Sequence, residues 1–368
     1  MNRILNLKAY IIAKIRGKLL LRDKKIAIYV FKISKYRTQL MGLAAMWVLG
    51  HHIFTELYDS VSIPVISQIF ARGNIGVDIF LIVSGMGLFV SVSKKSNITE
   101  FYKKRFIKVV MPWILMSVPY WSFIYVLQKN NSFVNFFYDL FGISFWTDGI
   151  STTWYVEFII LMYLLYPIIY KIQKKNLNYI KLAIIMAILV NFIVYFFFTE
   201  WYIKVDKALM RVPAFLIGSV LGELLFEKER KEECTNIITI YALMTTIIFL
   251  LSPFIRKINH EFGIMMYFLG AFGIAFILIT IASWILDLQK GSLLNNVLIF
   301  IGKMSLEVYL MNVFVRNIIV ELGIGMNASN DRKICIMLLT SFFIVGISWI
   351  YSKLDNAVAN IVERKLIK

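Results

Sequence analysis

Two adjacent histidines, His51 and His52, close an apolar stretch, and Glu56 follows the second by four residues. A histidine with a carboxylate one helical turn away can be held in one tautomer and aimed at a substrate, which is what a general base requires. On a helix the two rings diverge by about 100°, so at most one can point squarely into a bundle. The face of His52 carries Met41, Ala45, Val48 and Glu56, whereas that of His51 carries Leu40, Ala44, Trp47 and Thr55. Only the His52 face has the carboxylate, so His52 is the expected base. An idle, hydrated histidine pair at the headgroup level would leave the same trace in the sequence.

Further ionisable residues sit in apolar surroundings. Asp78 stands in the first turn of the stretch 75–93, Glu157 lies in STTWYVEF at the start of 153–170, and Arg211 opens 209–226. For the two acids a helix dipole and free amide groups are a sufficient structural reason; for Arg211, interfacial anchoring is. The segment FYKKRFIKVVMP gathers Lys103, Lys104, Arg105 and Lys108, with Arg105 and Lys108 three apart on one helix face. Such a group suits phosphates, and it equally suits the cytoplasmic rim of a membrane helix. Ser305, Glu307, Tyr309 and Asn312 lie within IGKMSLEVYLMNVF. Small and hydroxyl residues there can serve helix packing, but a buried Glu307 is harder to account for in that way.

The elements that must position these groups follow from composition. Of 368 residues, 59% are hydrophobic and 17% charged, and mean hydropathy is +0.72; an ordinary soluble domain carries about 25% charged residues. A soluble globular enzyme and a disordered chain are both excluded. Ten apolar stretches, at 40–57, 75–93, 109–127, 153–170, 180–198, 209–226, 236–253, 264–286, 297–320 and 334–352, reach the roughly 20 residues that a spanning helix needs. The expected fold is all-α and polytopic, a membrane domain over 37–353 between a basic N-terminal segment, 1–36, and a tail, 354–368. Placing the N-terminus inside puts 29 of the 40 Lys and Arg residues on the cytoplasmic side and 9 outside, with Lys303 and Arg316 inside the ninth span. Both termini are thus expected in the cytoplasm of a cell-membrane protein, and the net charge of +18 reports topology and anionic lipid, not nucleic acid. In the first 36 residues, Ile4, Leu7, Ile11, Ile12, Ile15 and Leu19 recur at helical spacing among basic residues, the pattern of an interfacial amphipathic helix. Cys234 and Cys335 form no CxxC pair or zinc-type cluster, so neither a disulfide framework nor a metal is expected.

Six segments, taken in order, resemble the membrane-bound acyltransferase family 3, ten-span enzymes that O-acylate surface polysaccharides, peptidoglycan, lipid-linked sugars and antibiotics. They are LMGLAAMWVLGHH (40–52), NIGVDIFLIVSGMGLFVS (74–91), FYKKRFIKVVMPW (101–113), TTWYVEFIILMYLLYP (152–167), RVPAFLIGSVLGE (211–223) and IGKMSLEVYLMNVF (301–314). The resemblance implies that His52 is the catalytic histidine, with Asp78 or Glu56 orienting it, and that Arg105 and Lys108, with Lys104 beside them, serve acyl-CoA. Trp154, Glu157, Arg211, Glu307 and Asn312 become candidates for contacting the acceptor. Three positions depart from the family pattern: Met41 stands where a cation is usual, Lys108 where Arg would be bidentate, and Asn312 where His is frequent. Arg37, one turn before Met41, is the expected substitute for the first. The implied reaction carries an acyl group, acetyl in the first instance, from cytoplasmic acetyl-CoA to a hydroxyl of a glycan or lipid-linked sugar. His52 would either deprotonate that hydroxyl or first accept the acyl group. The loop 128–152, with Asp139, Trp146 and Asp148, is the longest on the outer side and the expected place for a sugar. A secondary transporter of a sugar or lipid-linked oligosaccharide, and a catalytically inactive family member, are the competing expectations.

Overall fold

A computed structural model describes residues 23–367 except 59, 60, 62, 64, 95, 96, 130, 131, 151 and 228. The amphipathic pattern of residues 1–22 lies outside the described residues. The chain is all-α, with no strand among the described residues. Helix α1 (23–35) leads into α2 (Arg37–His51) and a π-helical turn (His52–Glu56). A short α3 (Ile66–Phe70) precedes α4 (Ile75–Lys94), and α5 (Ile98–Arg105) continues through a second π turn (Phe106–Val110) into α6 (Met111–Leu127). Two small helices, α7 (Phe133–Leu140) and α8 (Ile143–Asp148), fold the next loop before α9 (Trp154–Lys175) and α10 (Leu177–Phe197). Then come α11 (Thr199–Leu209), α12 (Val212–Phe226), α13 (Lys231–Ile258), α14 (His260–Leu288), α15 (Leu293–Lys303), α16 (Ser305–Glu321) and α17 (Asn330–Ile367).

Among the described residues eight helices are long and apolar enough to cross a membrane, or nine if the bent pair α15 and α16 counts as one. The difference from ten lies at the first and ninth expected spans. The first is a 15-residue α-helix that passes into the π turn. The ninth breaks at Met304, whose backbone leaves helical geometry, and bends by 72°. The bend brings α15 against α2 at two glycines: a Cβ on Gly42 would strike the Leu298 carbonyl, and one on Gly302 the Thr38 carbonyl. Such close backbone approach is how membrane helices associate without a hydrophobic driving force between them. The same device, at Gly85 and Gly218, presses the mostly buried α4 against α12.

The end of α1 is tied to α14. Lys32 and Lys35 pair with Asp287 at 2.9 and 2.8 Å, and the Tyr36 hydroxyl donates to the same carboxylate at 2.7 Å. This contact holds the Lys35 ammonium above its ordinary pKa. At the other end α17 runs unbroken past residue 353, so no hinge marks the expected tail boundary.

Candidate active site

The π turn gives the histidine pair its geometry. In a π turn residues five apart stack, so Glu56 falls between the faces of His51 and His52. Its Oε2 lies 2.6 Å from His52 Nδ1 and its Oε1 3.2 Å from His51 Nε2. The expectation that only His52 meets the carboxylate is therefore corrected, because it assumed an ideal α-helix. The two histidines differ in what remains free. His52 Nδ1 faces an acceptor, Glu56, at 2.6 Å and a donor, Arg316 Nη1, at 3.0 Å. Because the carboxylate contact is the shorter and Arg316 already donates to Glu56, the proton is placed on Nδ1 and the lone pair on Nε2, which has no partner among the described residues. His51 has an acceptor against each ring nitrogen, the Phe70 carbonyl 2.9 Å from Nδ1 and Glu56 beside Nε2. Both of its ring nitrogens are therefore turned to protein oxygens.

Arg316 completes the cluster. Its Nη1 donates to Glu56 Oε2 and lies 3.0 Å from His52 Nδ1, while Nε and Nη2 donate to Asn317 Oδ1 at 3.0 and 2.8 Å. Asn317 in turn donates to the Tyr120 hydroxyl at 3.1 Å. The sequence offered a signal for this residue, a charge inside the ninth span, but nothing local links positions 264 apart. A charge at such a site is costly unless it has a partner or a task.

Two cavities are lined by members of this cluster, and a third shares a wall residue with one of them. A basic one of about 330 Å³ is lined by Arg37, Met41, Arg105, Lys108, Tyr155 and Tyr309, among others. Arg105 lies 5.5 Å from both the Phe101 and Tyr163 ring centroids, and its buried Nε has no hydrogen-bond partner among the described residues. Gly87 makes room for Arg37, since a Cβ there would press on its guanidinium. The second cavity, about 190 Å³, contains His51, His52, Glu56, Trp154, Lys207, Arg211 and Arg316, and shares Tyr309 with the first. The third, about 650 Å³, shares Glu56 and Arg316 with the second and is walled by Tyr120, Trp121, Tyr125 and Tyr138 together with Asp139, Asp148 and Glu321. Asp139 is fixed by the Tyr125 hydroxyl at 2.6 Å and the Ser144 hydroxyl at 2.5 Å. The left-handed backbone of Gly142, φ +69°, turns α7 into α8 so that both wall this third cavity.

The remaining candidates fall elsewhere. Asp78 does not reach His52; its Oδ2 accepts from Arg211 Nε at 3.0 Å, a pair 0% and 1% exposed that locks α4 to the start of α12. Arg211 also donates to the carbonyls of Lys207, at 2.7 Å, and Asn74, at 3.4 Å, and it faces Phe268 and Trp154 at 4.7 and 5.5 Å. It therefore lines the His52 cavity while being held from behind. Glu157 lines none of the three cavities. Thr153 donates to it at 2.9 Å, and it supports the turn at Gly142, where a Cβ would strike its side chain. Glu307 and Asn312 are buried outside the cavities, and neither amide atom of Asn312 has a partner among the described residues. Lys104, a neighbour of Arg105 and so about 100° away on the helix, pairs with Glu100 at 2.7 Å outside the basic cavity. Trp146 does not line the outer cavity; its carbonyl accepts from the Trp201 indole at 2.6 Å. No group of three or more His, Cys, Asp or Glu among the described residues is placed to hold a metal ion.

A protein of Acidianus two-tailed virus named "Putative acetyltransferase ORF330" is 22% identical over 305 residues, which cover 78% of this chain and 84% of that protein. No solved structure matches the chain. The family model described as an acyltransferase domain matches residues 39–353, which include every residue named above as lining the three cavities except Arg37. The chain therefore belongs to the acyltransferase 3 family and is a membrane acyltransferase.

Proposed function

We propose that the chain moves an acyl group, acetyl in the simplest case, from cytoplasmic acyl-CoA in the basic cavity to a hydroxyl of a glycan or lipid-linked sugar in the outer cavity. The observation that carries this reading is a set of three cavities that share wall residues, Tyr309 between the basic cavity and that of His52, and Glu56 with Arg316 between that of His52 and the outer one. Met41 and His52 are eleven residues apart, so the basic group and the base are separated by about 16 Å of helix, a distance an extended pantetheine arm can largely cover. A sugar hydroxyl is a poor nucleophile at neutral pH, and His52 Nε2, free and backed by Glu56, is suited to take its proton.

Aromatic faces and carboxylates in the outer cavity suit a polyol. Four acids, Glu56, Asp139, Asp148 and Glu321, against one Arg316 favour a neutral or amino sugar over a phosphorylated or uronic one. The distribution of Lys and Arg supports a cell-membrane location with the basic cavity towards the cytoplasm. The test is proton NMR of surface glycan from cells lacking the protein and from the complemented strain. Loss of O-acetyl signal with recovery on complementation is expected, and equal signals would reject a glycan acceptor.

Arg37 and Met41 line the same basic cavity. Arg37→Ala is therefore expected to raise the apparent KM for acetyl-CoA by about 10-fold, the low end for a lost charge-assisted contact. Adding Met41→Arg should restore part of it, because the new guanidinium opens into the same space. An unchanged KM in Arg37→Ala would show that Arg105 and Lys108 hold the phosphates alone.

A further inference from the structure

Three cations line the His52 cavity, and two of them are already engaged. Arg211 is bound by the fully buried Asp78, and Arg316 by Glu56 and Asn317. The third is Lys207, on α11. Its backbone amide donates to Asp206 at 2.6 Å and its carbonyl accepts from Arg211 at 2.7 Å, so the main chain at this position is fixed from both sides. Its ammonium lies 5.8 Å from the Phe145 ring and forms no ion pair with any described carboxylate. The cavity these cations line is about 190 Å³ and is walled on its apolar side by Val48, Val77 and Phe268. The carboxylates of Asp206, Glu56 and Glu157 attract this ammonium without bonding to it, and a cation so held, with its hydrogen-bonding capacity unspent on them, is of use where negative charge appears during a reaction.

We infer that Lys207 is a second catalytic residue, the cation that receives the negative charge of the thioester carbonyl oxygen when the acceptor hydroxyl attacks. The inference rests on the acyl-transfer reading above. As the acceptor oxygen bonds to the carbonyl carbon, His52 Nε2 takes the hydroxyl proton and the C=O electron pair moves onto the oxygen beside Lys207. When that pair re-forms the C=O bond, the C–S bond breaks and the imidazolium returns its proton to the departing thiolate. The products are the ester and CoA thiol. Lys207 stands apart from the donor phosphates, which belong to the basic cavity, so its contribution falls on the transition state and not on donor binding.

The test uses the full chain purified in octyl β-D-glucoside, whose glucosyl hydroxyls and surrounding water both act as acceptors, with conversion of acetyl-CoA to CoA followed by liquid chromatography. Lys207→Met is expected to lower kcat by about 10²- to 10³-fold, the loss typical of an oxyanion donor, with KM for acetyl-CoA within about threefold of wild type. Lys207→Arg should recover at least about a tenth of wild-type kcat, since it keeps the charge. A Lys207→Met enzyme within about threefold of wild-type kcat, or an equal loss in both variants with a lowered unfolding temperature, would overturn the assignment. If wild type converts acetyl-CoA no faster than His52→Ala, the acyl-transfer reading itself fails and this assignment with it.

Discussion

His52→Ala abolishes acyl transfer, with a loss of about 10³-fold or more in kcat, while His51→Ala retains a measurable fraction of wild-type activity. The size follows from general-base catalysis, which contributes about 10²- to 10⁴-fold. The asymmetry follows from the free nitrogens. His52 donates through Nδ1 to Glu56 and keeps a lone pair on Nε2, whereas both nitrogens of His51 face oxygen acceptors. His51 supports the cluster by holding Glu56 and the Phe70 carbonyl, so its loss loosens the base without removing it. The check is kcat and KM for both variants, with membrane insertion confirmed by protein level. His51→Ala inactive beside an active His52→Ala would move the base one residue and leave the 2.6 Å contact without a catalytic role.

The sequence identified the class of protein because apolar runs of spanning length and a skewed charge distribution are properties of the chain itself. It also singled out His52 and Glu56 at one end of α2 and Arg105 and Lys108 at the start of the third span, and the fold places each pair on the wall of one cavity. What it could not supply were relations set by helix geometry and by contacts far apart in the chain. Reading residues 37–56 as one ideal helix placed Glu56 on a single face, and the π turn places it between two. Asp78 and Arg211 were both legible as charges at one depth, yet their pairing spans 133 residues and leaves Asp78 away from His52. Arg316, on α16, lies against His52, and Lys207, on α11, lines the same cavity; α16 begins at the bend after Met304 and α11 packs against α14, relations that no local pattern announces. The near miss at Lys104 is local: two adjacent residues on one helix cannot both face one cavity.

Replacing Arg105 and Lys108 together by Gln lowers kcat/KM for acetyl-CoA by about 10²-fold or more, most of it through KM. Each charge-assisted hydrogen bond to phosphate is worth about 1.5–3 kcal/mol, and the side chains share one cavity with Arg37. Arg105 is the stronger of the two, because it is planar, its Nε is buried without a partner among the described residues, and the Phe101 and Tyr163 rings hold it in place. Lys108→Arg is therefore expected to be neutral or to lower KM, since it adds the bidentate contact that a lysine lacks. A ground-state phosphate contact is also present in the transition state, so its removal acts on KM while kcat is largely spared. Steady-state kinetics with acetyl-CoA varied at saturating acceptor separates this from simple membrane anchoring. If KM for acetyl-CoA is unchanged and only the amount of inserted protein falls, the pair anchors the helix to the lipid headgroups, and the donor site must be sought among the other residues of the cavity.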